Sequence, residues 1–395
     1  MIYLDNAATS WPKPERVYIA ADKALREFSG NAGRSGHRLS MAAGRAIEET
    51  RLLLARLFNV PNPKNICFTL NATDALNLAI KGILRPGDHV IAGSMEHNSV
   101  ARPLEALRAI GVECTKVNVL PAAGTEYTTE PNAVRNAIRS ALRPNTKLAV
   151  FNHVSNVTGA ENPIGEIGAL CREQGIPLLV DAAQSAGTKP VDVQKLNIDL
   201  LAFPGHKGLF GPQGTGGLYI REGLILSPLR EGGTGSRSEE LTQPPSGPDR
   251  YESGTMNAAG IAALGEGVRF ILEQGIEKIE EHEAALSSRL IRGLQEIPGI
   301  KIYGPPPGPH RSGVVSVTPE NIECAEAELI LDDSFGIAVR AGLHCAPDAH
   351  RLLGTLASGG TIRISIGYLN TEADIDNCIE ALRSIVTDVT SGFLS

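Results

Sequence analysis

The chain has 395 residues, enough for two packed domains with substantial cores. Apolar residues make up 42% and charged residues 21%, an ordinary globular balance that excludes disorder over any large part. A formal net charge of -7 provides no broad basic surface, so no nucleic-acid partner is expected.

The opening MIYLDNAATS has no basic stretch followed by an apolar one, so no secretory signal is expected. No apolar run reaches the roughly 18 residues that would cross a bilayer, and no membrane partner is expected. The six cysteines, Cys67, Cys114, Cys171, Cys324, Cys345 and Cys378, stand far apart with no C-x-x-C pair. That spacing argues against a disulfide framework and against a metal site, and it fits a reduced cytoplasm.

In chain order, the strand candidates of the first two-thirds are NICFT at 65–69, HVIAG at 89–93, KLAVF at 147–151, IPLLVD at 176–181 and DLLAF at 199–203. They lack polar alternation, as strands covered on both faces do. Helix-period segments lie between them, such as DALNLAIKGIL at 74–84, where Leu76, Ile80 and Ile83 share one face. This alternation predicts an α/β fold with a doubly wound, mainly parallel sheet whose ligands sit beyond the carboxyl ends of the strands. A polar Gly/Pro/Ser-rich stretch from Glu231 to about Gly254 is too irregular for core and is expected to cover or border a site. A long helical pattern then runs from about Asn257 to Glu296, followed by GVVSVTP at 313–319, a helix near 323–335 and a last helix from Thr371 to about Val386. The expected division is a large α/β domain over 1–258 and a smaller C-terminal α+β domain over 259–395, with the first residues packing near the smaller one.

Several strand ends carry residues with two readings each. Asp181 closes IPLLVD, where an Asp serves as a cap or turn residue, or presents a carboxylate to a ring nitrogen. Lys207, in FPGHKG after DLLAF, is either a solvated charge or an amine desolvated for Schiff-base chemistry. In LNATDALN, Thr73 reads as a helix N-cap, and the same helix start suits a phosphate. His97, in MEHNSV after HVIAG, is either structural or a stacking group. Cys345, in RAGLHCAP, lies beside His344 and near Arg340 in a Gly- and Pro-flanked loop that suits a reactive thiol. The other five cysteines lie in strand-like or helix-like runs and read as small buried or half-buried hydrophobes. An anion-binding helix start, an imidazole, an Asp and a Lys at one sheet edge together meet the needs of pyridoxal 5'-phosphate.

From YLDNAATS at 3–10 to IRISIGYLNTEADID at 362–376, the chain resembles the class V aminotransferase-like, fold-type I pyridoxal-phosphate enzymes, and among them the cysteine desulfurases. EH at 96–97, HVSNVTGAENPIG at 153–165, VDAAQSAG at 180–187 and FPGHKG at 203–208 match the cofactor site. RAGLHCA at 340–346 resembles the sulfur loop of the second desulfurase group, which includes selenocysteine lyases.

The resemblance implies that Lys207 bonds the cofactor, Asp181 pairs with its ring nitrogen and His97 stacks on its ring. It places Asn156 and Gln184 near the phenolic oxygen, and Ala72, Thr73, His206 and a neighbouring subunit's Thr255 at the phosphate. Arg363 matches the substrate-carboxylate arginine, Asn31 and His37 line the entrance, and Cys345 receives sulfur from L-cysteine. A homodimer, a sulfur-acceptor protein and a link to iron–sulfur cluster assembly are implied as well. Pro204 stands where the family often has a hydroxyl residue, Ala72 replaces a common Thr, and Leu343 stands where close relatives place a second His. Three rival readings remain open: a selenocysteine lyase or other lyase of the family, an aminotransferase or epimerase, and a non-catalytic binding protein that keeps the fold.

Overall fold

The computed structural model describes residues 1–390 other than 29, 34, 119–130 and 309. The chain opens with a two-residue strand, β1 (Ile2–Tyr3), and two helices, α1 (Glu15–Glu27) and α2 (Arg38–Leu57). Strands and helices then alternate: β2 (Ile66–Thr69), α3 (Ala72–Ile83), β3 (His89–Gly93), α4 (Asn98–Arg108), β4 (Glu113–Val117), α5 (Pro131–Ala141), β5 (Thr146–Asn152), α6 (Ile164–Glu173), β6 (Leu178–Asp181), β7 (Leu200–Pro204) and β8 (Gly216–Ile220). They build one seven-stranded sheet in the order β2-β8-β7-β6-β5-β3-β4. The strands from β4 across to β7 run parallel, while β8 is antiparallel to both its neighbours. The expected doubly wound, mainly parallel sheet is the observed one.

The five strands read from the sequence have every or nearly every residue buried, as β6 and β7 do throughout; β8, also buried throughout, opens on two glycines and did not read as an apolar run. Apolar clusters cover both faces of this sheet. One contains Ile91, Phe151, Val180 and Phe203, and the other Val90, Val150, Leu179 and Ala202, so successive residues of a strand serve opposite cores. The edge strand β4, ECTKV, is mostly exposed or half-buried, and its polar content hid it from an apolar-run search.

The rest of the chain forms α7 (Ala258–Gln274), α8 (Ile276–Gln295), β9 (Ile300–Tyr303), β10 (Val314–Pro319), α9 (Cys324–Phe335), β11 (Ile337–Ala338), β12 (Arg340–Gly342), α10 (Pro347–Leu353), β13 (Thr361–Ser365) and α11 (Glu372–Thr390). An antiparallel sheet in the order β12-β13-β10-β9 packs with α8, α9 and α11 around a core of its own, which Leu4 joins as β1 pairs with β11. The single helical pattern expected from about 257 to 296 is two helices. Gly275 separates them with φ 88, a backbone that glycine adopts without steric cost, and its N–H closes α7 on the Ile271 carbonyl at 2.9 Å.

The stretch from 231 to 254 contains neither helix nor strand. Its end is fastened by one buried ion pair. Arg51 of α2, 1% exposed, grips both carboxylate oxygens of Glu252 at 2.8 and 3.1 Å, and Glu252 also accepts the Phe68 N–H at 2.7 Å. Thr255 follows three residues later, so this pair also sets its position. Glu252→Ala leaves buried Arg51 with the Ile66 carbonyl and the solvent-facing Glu48, 3.2 Å from Nε, but without the buried carboxylate that matches its charge. The expected loss lies at the lower end of the roughly 3–5 kcal/mol for breaking a buried pair. It should appear as a lower urea midpoint, and an unchanged midpoint would mean the pair fastens nothing.

Candidate active site

The carboxyl ends of the parallel strands open into a cavity of about 660 Å³ lined by Ala72, Thr73, His97, Asn156, Asp181, Gln184, His206 and Lys207. Eight residues from five separate stretches of sequence thus meet where the topology puts ligands.

At one end of the cavity lies the start of α3. The expected cap, Thr73, is not the cap: Asn71 is, its side chain accepting the Asp74 N–H at 2.9 Å from an extended backbone. Thr73 sits instead in the first turn, its hydroxyl 2.7 Å from that of Ser99. Among the described residues, no acceptor takes the Ala72 or Thr73 N–H, so both amides are free for an anion at the helix start. His206 Nδ1 is buried without a partner beside them. Burial, then Lys207 and Lys13, lower His206 to about 4, so it is neutral.

Lys207 follows the end of β7 and is held from behind. The carbonyl of His206 accepts the Ser10 N–H at 3.0 Å and the Thr9 hydroxyl at 2.9 Å, and Lys13 Nζ lies 3.3 Å away. The opening YLDNAATS therefore fixes the peptide from which Lys207 projects. No group hydrogen-bonds the Lys207 amine among the described residues. Burial, and next the positive charge of Arg363, lower it to about 8, with Asp181 opposing. Asp181, the last residue of β6, is buried. One of its carboxylate oxygens accepts the Ala183 N–H at 2.9 Å, the turn role read from sequence, yet the side chain also lines the cavity. Burial raises its carboxyl, opposed by the Ala183 hydrogen bond and by Lys207. His97 caps α4, its Nδ1 accepting the Ser99 N–H at 3.0 Å, which leaves the proton on Nε2. Burial, then Lys207, lower it to about 4. His97 is thus a structural cap whose residue also lines the cavity.

Cys345 is the one exposed cysteine of the six; Cys114 is half-buried and the other four are buried. Burial pushes the Cys171 and Cys378 thiols up to about 12. Cys345 and His344 both adopt left-handed backbone, with φ 58 and 47. Such a conformation costs a non-glycine residue about 1–2 kcal/mol, so the surroundings must hold it. They do: the Cys345 carbonyl accepts the Asn98 N–H at 2.7 Å, and the His344 carbonyl accepts Asn156 Nδ2 at 2.7 Å. His344 itself does not supply the positive charge that its place beside Cys345 suggested. Its ring is buried with Nε2 3.0 Å from the Thr361 carbonyl, and burial followed by Arg363 lowers it to about 2. Arg340 brings positive charge to Cys345, with Nη2 3.9 Å from the sulfur.

Arg363, in β13, is buried. Its Nη2 pairs with Asp5 at 2.9 Å, Nη1 donates to the Asn156 carbonyl at 3.3 Å, and Nε has no partner. Asn156 therefore touches both Arg363 and the Cys345 loop. Gln184 donates to the Ala7 carbonyl at 3.1 Å.

Asn31, His37 and Thr255 are not brought to this cavity within one chain. All three are exposed; Asn31 Nδ2 lies 3.4 Å from Thr255 Oγ1, and His37 caps α2 by accepting the Ser40 N–H. The sequence reading missed Asn71, Ser99, Asp5 and Asn152. Asn71 and Ser99 lie within LNATDALN and MEHNSV, two residues from Thr73 and His97 respectively, and Asp5 lies in the YLDNAATS motif itself.

Pyridoxal phosphate fits these residues on structural grounds. The two free amides and His206 Nδ1 suit a phosphate. A buried carboxylate with no protein counter-ion in contact suits a protonated ring nitrogen, and a buried amine without a hydrogen bond suits covalent attachment.

Residues 2–378 match the family model described as aminotransferase class-V. A probable cysteine desulfurase of Methanothermobacter thermautotrophicus is 35% identical, covering 97% of this chain and 94% of its own. A cysteine desulfurase of Salmonella agona is 32% identical over 98% and 93% of the two chains. Among solved structures, the apo cysteine desulfurase of Thermococcus onnurineus superposes with a TM-score of 0.88 at 32% identity, covering 98% of this chain and 94% of that one. By its sequence over nearly its whole length and by its fold, the chain belongs to the class-V aminotransferase family.

Proposed function

We propose that the protein is a cysteine desulfurase that converts L-cysteine to L-alanine and takes the sulfur onto Cys345. The observation that carries this reading is Cys345 itself. It is the one exposed cysteine, held in a costly backbone conformation by Asn98 and Asn156, next to the residues that line the Lys207 cavity. An aminotransferase needs no such thiol.

Pyridoxal phosphate, when bound, supplies an electron sink for the substrate's α-carbon. Ala72, Thr73 and His206 would hold its phosphate, and His97 would stack on its ring. Asp181 keeps the ring nitrogen protonated, the charge pair relieving the cost of its burial. Lys207 would hold the cofactor, and its amine, held near 8, would be the base for the substrate's α-proton at neutral pH. Arg363 binds the substrate carboxylate, for which its unpartnered Nε is a spare donor. Cys345 Sγ attacks the substrate sulfur. A sulfur–sulfur bond forms as the carbon–sulfur bond breaks, leaving a persulfide on the enzyme.

The same reading has a homodimer in which Thr255 of each chain completes the other's phosphate site and Asn31 and His37 border the entrance. It divides the chain into a cofactor domain over 1–258 and a sulfur-loop domain over 259–395. It further includes a cytoplasmic setting and a protein that takes the sulfur onward, as for iron–sulfur cluster assembly. Among the described residues no helix is long and apolar enough to cross a membrane.

Three measurements test this reading. Purified protein should be yellow, and borohydride should fix the cofactor on the peptide containing Lys207; label on another lysine would refute that assignment. Asp181→Asn should bind cofactor yet lose turnover, about tenfold for each pKa unit lost from the ring nitrogen if the loss is fully expressed in the barrier. Turnover near that of the parent would end the electron-sink argument. Cys345→Ala should keep colour and cofactor but lose sulfide release from L-cysteine, with selenocysteine turnover less affected because selenium leaves more readily. If this variant releases sulfide at the parent rate, the desulfurase reading gives way to a lyase that does not use Cys345.

A further inference from the structure

Glu96 is a buried carboxyl that plays no part in the chemistry above. It is 4% exposed and lies between β3 and β5 at the carboxyl edge of the large sheet. One oxygen accepts the Asn152 N–H at 2.9 Å, and the other is buried with no partner among the described residues. Asn152 returns the contact, its Nδ2 donating to the Met95 carbonyl at 3.0 Å. The turn after β3 is thus fastened at two points to the last residue of β5.

Three features of the site depend on that turn. His97 is the next residue after Glu96. Asn98, one further on, donates its N–H to the Cys345 carbonyl at 2.7 Å. Asn152 stands opposite Asp181 in the β5–β6 register. The shortest path from the ring-facing imidazole to the ring-facing carboxylate therefore runs through the Glu96–Asn152 hydrogen bond. The backbone has been kept clear for it, since a Cβ on Gly93 would lie 2.3 Å from a Glu96 carboxylate oxygen.

We infer that Glu96 is a positioning residue: its hydrogen bond to Asn152 sets the separation of His97 and Asp181 and, through Asn98, the place of Cys345. The inference rests on the desulfurase reading of these three residues. Burial, eased by the Asn152 amide and reinforced by Asp181, pushes the Glu96 carboxyl up to about 8, so at neutral pH it acts as an uncharged acceptor. A glutamine has the same shape and the same accepting oxygen.

The test compares holoenzyme carrying Glu96→Gln, Glu96→Ala or Gly93→Ala for cofactor absorbance, kcat and KM with L-cysteine, and sulfur loading of Cys345. Glu96→Gln should match the parent. Glu96→Ala, and separately Gly93→Ala, should lower kcat tenfold or more, approaching the roughly 10²-fold expected of a 1 Å misplacement. Their cofactor band should be displaced and Cys345 should load more slowly, while KM changes little. A role confined to folding would lower the melting temperature without moving the band, and Gln would not restore kcat selectively. If Glu96→Ala does not fold, Glu96→Asp, one methylene shorter, is measured instead with the same expectations. The inference is overturned if the shortened variants keep the parent's kcat and band, or if Glu96→Gln falls as far as Glu96→Ala. Borohydride labelling of Lys207 in the parent and every variant separates these failures from failure of the desulfurase reading, in which the parent itself would not label there.

Discussion

The site is organised around two ionisable groups buried close together without a hydrogen bond between them. Asp181 ends β6 and Lys207 lies three residues past the end of the adjacent parallel strand β7, and each is shifted by burial towards its neutral form while the other's charge pulls the opposite way. Such an arrangement is costly in an isolated chain, because neither charge has its full complement of partners. The cost falls when a ligand supplies a cation to one and a covalent bond to the other. Much of the surrounding architecture keeps these two groups from finding cheaper partners in the protein. The sheet holds Asp181 at a strand end, and the N-terminal segment ties down the His206 carbonyl so that Lys207 cannot retreat.

The sulfur loop is constrained in a comparable way. Two successive left-handed residues are held by contacts from α4, from the segment after β5 and from β13. The imidazole of His344 is drawn inward as an anchor, which leaves Cys345 to point outward. A neighbouring residue that looks like a chemical partner in the sequence is therefore a structural one in space.

What the sequence revealed followed from burial. Strands covered on both faces, such as LLVD and LLAF, are apolar throughout and were visible. The exposed edge ECTKV and the glycine-rich β8 were not, because their residues obey different demands. Lys207, Asp181 and His97 were legible because each ends a buried strand or follows one within a few residues. The Asn71 cap was missed because Thr73, two residues on, is an equally good capping residue by type, and only backbone geometry separates them. The pairing of Arg363 with Asp5 spans nearly the whole chain and has no local signature. The break at Gly275 was concealed because apolar periodicity continues on both sides of it.

The distribution of the cysteines governs where sulfur can go after it arrives. Thiol–disulfide exchange needs an attacking thiolate with access to the sulfur. The other five thiols are buried or half-buried, and burial raises each of them. A sulfur atom held on Cys345 therefore has no competent thiol within its own chain to resolve it into an internal disulfide. On the desulfurase reading proposed above, a persulfide on Cys345 would stay there until a second molecule took its sulfur, so the rate of discharge would be set by that acceptor's concentration and fit, with one sulfur stored per chain between encounters.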